Sequence, residues 1–292
     1  MNSTPRRTES RATLCAILQG NQCIFPASVF DPISARIAKD VGYEMAMFAG
    51  SIASFTVLGA PDLVVLTLTE LAEQARRICR ASDIPVLVDA DHGFGNALNV
   101  RRTVEELENA GVAGLTIEDT ELPIAFDKPP KGLISIEETL GKFQAALDAR
   151  QDPGLCIFGR STAFSTLPTE AAVERIQQYA KAPVDGLFLV GIQTWQQLEA
   201  MRKQTSLPII LGGTPAVMKD PQRLSDLSVK IALEGHATFT ASVTAVYETM
   251  RKMRAESAPL AMPTRSVPDN LIADVTRESH YNAWIQRYLK PH

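Results

Sequence analysis

The strongest chemical signal in the chain is a set of carboxylates that close short apolar runs. Pro85-Val-Leu-Val ends in Asp89 and continues Ala90-Asp91-His92-Gly93-Phe94-Gly95-Asn96, while Gly114-Leu-Thr-Ile ends in Glu118-Asp119. An unpaired carboxylate is costly to bury, so acids converging on neighbouring strand ends demand a compensating cation. Hard oxygen ligands, with no histidine or thiol motif to add soft ones, suit Mg2+, with Mn2+ as a substitute. Asp89, Asp91 and Glu118 are the metal ligands this reading selects. The competing reading pairs the acids with nearby Arg or Lys, or has them cap the following helices, and it is strongest for Asp119. His92 fits packing or a hydrogen bond to a ligand as well as it fits ligation.

Other polar residues end apolar runs in the same way. Phe48-Ala49-Gly50-Ser51 offers small residues that let backbone N–H groups approach a carboxylate, although Gly-Ser is also an ordinary turn. Leu155-Cys-Ile-Phe-Gly159 leads to Arg160-Ser161-Thr162, where an arginine can grip a carboxylate with two parallel hydrogen bonds or face solvent. Glu234-Gly235-His236 adds a histidine able to bind substrate, pass a proton or cap a helix. Asp89, Arg160 and His236 are the candidate catalytic residues, and Gly50, Ser51, Arg160 and His236 the candidate substrate contacts.

The elements that must position these residues alternate between short apolar runs and longer stretches of helical periodicity, the pattern of repeated βα units on a parallel sheet. Strands are predicted at 23–25, 44–48, 85–89, 114–118, 155–158, 186–190, 208–211 and 229–233. Helices are predicted at 33–40, 68–81, 97–110, 136–149, 169–180, 194–203, 221–226 and 236–254. Eight strands, each followed by a helix, describe an α/β fold of the (β/α)8 TIM-barrel type. A doubly wound sheet is the second choice, but its GxGxxG turn is missing. In such a barrel the site is built at the C-terminal ends of the strands, where the residues above fall. The domain reading is a barrel with a leading helix over 1–256 and a helical extension over 257–292. The tail's aromatic stripe, Tyr281, Trp284 and Tyr288, is expected to serve subunit or domain contact.

A chain of 292 residues with 45% hydrophobic residues can bury one large core. The formal charge of −4 comes from interspersed acids and bases, leaving no basic stripe for nucleic acid or anionic membrane. A small-molecule partner is favoured. The N-terminus lacks the pattern of a secretory signal, no run approaches a membrane span, and the four cysteines have no CxxC spacing. A cytoplasmic protein with reduced thiols is expected.

At these residues the chain resembles the isocitrate lyase and phosphoenolpyruvate mutase superfamily. The match runs through Ser28-Val-Phe-Asp31-Pro-Ile-Ser-Ala-Arg36, Gly50-Ser51, Asp89 to Asn96, Gly114 to Asp119 and Gly235-His236-Ala237, and it is most like the oxaloacetate decarboxylase branch. The resemblance implies metal ligation by Asp89 with Asp91 and Glu118 around the ion, and substrate contacts from Ser51, Arg160 and His236. It also implies a homodimer or homotetramer that exchanges its last helix between subunits. The implied reaction is Mg2+-dependent decarboxylation of oxaloacetate to pyruvate and CO2 through a metal-stabilised enolate. A phosphonopyruvate-processing enzyme, a thiol-independent lyase for a substituted malate, or a non-catalytic metabolite-binding barrel are the alternatives. Lyases of the superfamily carry a cysteine in the loop after strand four, and Thr120 to Gly132 contains none. Two positions depart from the decarboxylase pattern: Ser161-Thr162 follows Arg160 in place of Thr-Asn, and Leu211-Gly-Gly-Thr-Pro-Ala216 lacks a tyrosine.

Overall fold

The computed structural model describes residues 3–124, 126–127, 132–256 and 270–290. Strands β1 (Ala27–Ser28), β2 (Ala46–Phe48), β3 (Val86–Asp89), β4 (Gly114–Glu118), β5 (Cys156–Ser161), β6 (Gly186–Leu189), β7 (Ile209–Leu211) and β8 (Val229–Ala232) pair in that order. All seven pairings are parallel. The sheet curls until Ile24, just ahead of β1, bridges Ile231 of β8; Ile24 N donates to Lys230 O at 2.9 Å, and Ala232 N to Ile24 O at 2.9 Å. The result is a TIM-like α/β arrangement.

Helix α1 (Ser3–Gln19) precedes the sheet, and the crossovers carry α2 (Pro32–Asp40), α3 (Gly50–Ala53), α4 (Leu68–Ala81), α5 (Ala97–Ala110), α6 (Ile136–Ala149), α7 (Ala163–Thr166), α8 (Thr169–Tyr179), α9 (Trp195–Arg202) and α10 (Pro221–Asp226). Helices α11 (Ala237–Glu256), α12 (Leu271–Thr276) and α13 (Glu278–Tyr288) follow β8. The long helices start where local chemistry dictates. Asp31 with Ser34, Thr67 with Glu70, Asn96 with Asn99 and Thr194 with Gln197 each form a reciprocal cap, satisfying backbone donors that the first turn leaves orphaned. Pro32 opens α2 with a preset φ, and Gly111 closes α5 at φ 95°, where a side chain would be strained.

The first strand departs from its expected place. Cys23–Phe25 makes only the bridge to β8, and the ladder to β2 begins at Ala27, whose N–H donates to Met45 O at 3.1 Å. Pro26 separates the two segments and has no N–H to give the ladder. Strands β2, β3, β4, β6 and β7 are buried at every residue, as expected when helices cover a parallel sheet.

Arg11 of α1 donates to Val112 O at 3.1 Å and Glu108 O at 3.0 Å and pairs with Asp152. These partners precede β4 and β5, so α1 docks at the strands' N-terminal ends, away from the clustered carboxylates.

Contacts divide the chain into two compact units, Met1–His236 and Ala237–His292, so α11 belongs with the tail. In the second unit Val243, Val246, Tyr247, Met250 and Met253 of α11 are exposed, as are Tyr281, Trp284, Ile285 and Tyr288 of α13. Residues 257–269 of that unit lie outside those described. No helix of the described residues is long and apolar enough to cross a membrane.

Candidate active site

The ends of β3, β4 and β5 bring together the acids and the arginine singled out in the sequence. Register sets Asp89 beside Thr116 and Glu118 beside Arg160. Alternation along the strands turns these side chains to the inside. Arg160 bonds Asp89 directly, and its Nε lies 3.0 Å from Glu118 Oε2. That second contact is an ion pair without hydrogen-bond alignment, since both atoms are buried with no hydrogen-bond partner. Asp89 Oδ1 also accepts from Thr116 Oγ1 and from the Asp91 N–H, each at 3.1 Å. The guanidinium stacks 5.4 Å from the Phe188 ring centroid, which limits its rotation.

Charge in this cluster is unbalanced, because three carboxylates face one guanidinium. Burial, with Asp89 and Glu118 nearby, pushes the Asp91 carboxyl well above the usual range. Burial also raises Glu118, with Arg160 opposing and Asp89 reinforcing the rise. Burial alone would lower the Arg160 pKa, but Asp89, Glu118 and Asp91 outweigh it and hold the group above its ordinary value. Two negative charges therefore lack a partner when the acids ionise, and a divalent cation matches that deficit. Gly50 leaves room at the same place: a Cβ there would stand 2.8 Å from Asp91 Oδ1. Among the described residues no three acidic, histidine or cysteine side chains are arranged ready to hold a metal ion. Arg160 draws Asp89 and Glu118 onto its own nitrogens, so the donor chemistry fits Mg2+ while its geometry is set by the arginine.

His236 closes the opposite side of the mouth. Its Nδ1 lies 2.9 Å from Ser28 Oγ and its Nε2 3.5 Å from Ser51 Oγ. Burial lowers its pKa, with Asp89 and Asp62 opposing, so the ring is neutral at pH 7. Gly50 and Ser51 open α3, whose preceding residue, Ala49, supplies no side-chain cap.

Asp62 joins the site although its sequence context, Gly59-Ala-Pro-Asp62-Leu, gave no warning. Asp62 is exposed, yet its carboxyl is raised by desolvation and then by Asp89, with Arg160 and His236 opposing, so it lies within electrostatic reach of the same charges. A lone acid after a Pro in an irregular segment has no periodic signal, and only tertiary placement reveals it.

Asp119 does not belong to the cluster. It is fully buried on the outer side of β4, where Oδ2 accepts from Ser161 Oγ at 2.8 Å, Arg175 Nε at 2.9 Å and Tyr179 OH at 2.9 Å. The reading that paired this acid with an arginine is the correct one. Ser161 is turned away from the mouth by the same alternation, so its departure from the family pattern alters the support of β5. In the strand-seven loop Gly212 packs where a Cβ would meet Phe188 at 2.7 Å, and Thr214 Oγ1 is buried without a partner.

His92 is also buried, at 3% exposure, and its pKa is pushed down to about 4, by burial first and by Lys142 second. Between roughly pH 6.5 and 4 the unfolded chain takes up a proton that the folded chain refuses. This residue should therefore cost about 2 kcal/mol of stability as pH falls from 7 to 5. Urea unfolding of wild type and His92→Gln at both pH values checks this, because the difference between the proteins isolates the imidazole. An equal loss in both would show that His92 titrates normally.

The family model described as phosphoenolpyruvate phosphomutase matches residues 14–254. An oxaloacetate decarboxylase of Bradyrhizobium sp. (strain BTAi1 / ATCC BAA-1182) is 50% identical over 282 residues, covering 96% of this chain and 97% of its own. An oxaloacetate decarboxylase of Rhodopseudomonas palustris (strain BisA53) is 55% identical over 249 residues, 85% of this chain and 86% of its own. Among solved structures, phosphonopyruvate hydrolase in complex with oxalate and Mg2+ superposes with a TM-score of 0.85 at 27% identity, covering 96% of this chain and 99% of that one. The inward-facing acids, the sequential eight-stranded sheet and these matches agree, and the chain belongs to the phosphoenolpyruvate phosphomutase family within the isocitrate lyase and phosphoenolpyruvate mutase superfamily.

Proposed function

We propose that this protein is a cytoplasmic, Mg2+-dependent oxaloacetate decarboxylase releasing pyruvate and CO2. The observation that carries the reading is the surplus of carboxylate charge around Arg160 at the strand ends. The two decarboxylase relatives, matched over most of both chains, support the choice of substrate.

Asp89, Asp91 and Glu118 would hold the ion. A divalent cation bound there supplies Lewis-acid stabilisation of negative charge developing on the 2-oxo oxygen. Arg160 and the Ser51 hydroxyl, with the Gly50 N–H, bind and orient the substrate carboxylates. Ser28 holds the Nδ1 edge of the His236 imidazole, which leaves Nε2 directed toward Ser51. The C3–C4 bond then breaks with its electron pair retained at C3, CO2 departs, and protonation at C3 completes pyruvate. Neutral at pH 7, His236 acts there as a hydrogen-bonding group, and water is the simplest source of that proton.

The exposed apolar side chains of α11 and α13 support assembly of two or four copies with the last helix exchanged. Phosphonopyruvate processing is the second reading, favoured by the fold shared with phosphonopyruvate hydrolase. An isocitrate or methylisocitrate lyase is disfavoured by the loop without a thiol.

An assay of the purified protein with oxaloacetate, phosphonopyruvate and 2-methylisocitrate separates these. Oxaloacetate is expected to turn over at least about a hundredfold faster than the others, with activity abolished by EDTA and restored by Mg2+. Faster turnover of phosphonopyruvate would sink the decarboxylase reading.

A further inference from the structure

The turn that carries Asp91 is unusually demanding. Asp91 has φ 48°, Gly93 79°, Phe94 61° and Gly95 148°, so two residues with side chains sit in the left-handed region within one short turn. A conformation of this kind costs free energy and persists only where surrounding contacts over-determine it.

Three successive carbonyls of this turn are each met by a donor from a different element. The Glu118 N–H reaches Asp91 O at 2.9 Å, Lys142 Nζ reaches His92 O at 3.1 Å, and Thr103 Oγ1 reaches Gly93 O at 3.0 Å, sharing its one hydrogen with Asn99 O of its own helix, also at 3.0 Å. The first donor is backbone of β4 and fixed by the sheet. The other two are side chains, from α6 and α5, and both are buried: Lys142 is 3% exposed and Thr103 0%. A buried ammonium is costly, and its burial lowers the Lys142 pKa. Glu138 and Glu118 oppose that fall electrostatically, but nothing in the decarboxylation scheme uses the ammonium directly, so its presence needs another explanation.

We propose that Lys142, with Thr103, is a positioning residue that clamps the Asp91 turn in the geometry required for divalent-cation binding. The inference rests on the metal assignment proposed above. The clamp acts through the backbone: Lys142 and Thr103 hold the carbonyls of two successive peptides, His92–Gly93 and Gly93–Phe94, and this keeps Asp91 in its left-handed conformation with its carboxylate against Gly50. As a like charge, Lys142 would by itself oppose a cation, so its removal separates the two effects by sign. Loss of the clamp weakens binding, whereas relief of repulsion strengthens it.

The test is Mn2+ binding to full-length protein, with free ion counted by electron paramagnetic resonance and no substrate present. Lys142→Met is expected to bind Mn2+ about tenfold more weakly than wild type, and Thr103→Val severalfold more weakly. Lys142→Arg, which retains a buried donor, should recover most of the affinity. At saturating Mg2+ the KM for oxaloacetate should change by less than about twofold in Lys142→Met, a split that general loosening of the barrel would not produce. If Lys142→Met fails to fold, Thr103→Val, which is nearly isosteric and uncharged, decides the matter. Affinity within twofold of wild type in the folded variants, or tighter binding in Lys142→Met, would overturn the clamp. Wild-type protein that binds no Mn2+ would remove the metal site itself, and the inference with it.

Discussion

Asp89→Ala is expected to lower kcat/KM for oxaloacetate by at least a factor of about 1,000, a loss of roughly 4 kcal/mol in transition-state stabilisation. No other side chain holds as many parts of the site together. Its Oδ1 accepts from Arg160, Thr116 Oγ1 and the Asp91 N–H, and its charge acts on Asp62, Asp91, Glu118 and His236. Removing the carboxylate would both delete a metal ligand and release Arg160 from its place between the strand ends. Asp89→Asn separates the two losses. The amide oxygen can still accept from Thr116 and the Asp91 backbone, but it brings no negative charge to a cation. If ligation is the decisive role, Asn should be nearly as inactive as Ala, with Mn2+ affinity reduced in both. Full Mg2+-dependent turnover by Asp89→Ala would show that the metal assignment is wrong.

Arg160→Gln is expected to lower kcat/KM severalhundredfold, mostly through KM, because the substrate loses a bidentate carboxylate partner. The same substitution has a second effect on stability. Arg160 is the only cation in ion-pair contact with Asp89 and Glu118 among the described residues, and the side chains involved are at most 16% exposed. Breaking a buried pair from one side leaves uncompensated charge and typically costs about 3 kcal/mol. A divalent ion can supply that compensation instead. Mg2+ should therefore raise the melting temperature of Arg160→Gln more than that of wild type, where the ion must first displace the guanidinium from the acids. Thermal unfolding with and without Mg2+ measures this directly. An equal Mg2+ shift in both proteins would mean that Arg160 and the cation do not compete for these carboxylates.

Much of the architecture was legible because its causes are local. Helices α4, α5, α6 and α10 occupy the spans that periodicity and capping residues predict, and β4 occupies Gly114–Glu118 as read. Reciprocal caps such as Thr67 with Glu70 are settled within four residues, so no distant contact is needed to place them. The short β1 was misplaced because a two-residue strand carries almost no periodicity, and its position depends on which N–H groups the neighbouring β2 can receive. The single-turn α7 and the π-helical turn Ser54–Leu58 were not anticipated either, since elements of four or five residues carry too little periodicity to read.

The sequence by itself determined the alternation of strands and helices, the identity of the acids at the strand ends, and the presence of Arg160 and His236 on the same rim. Those properties follow from residue type and spacing along a single segment. Only the tertiary structure decided which side each residue faces and what it meets there. Glu118 turns inward to Arg160 while Asp119, one residue later, turns outward to Arg175 and Tyr179. Asp62 reaches the site from an irregular segment, and Lys142 supports the Asp91 turn from a helix 50 residues further on. The physical reason is that charge balance and burial are pairwise quantities. A carboxylate's partner is fixed by strand register and helix packing across the barrel, and neither is written in the residues beside it.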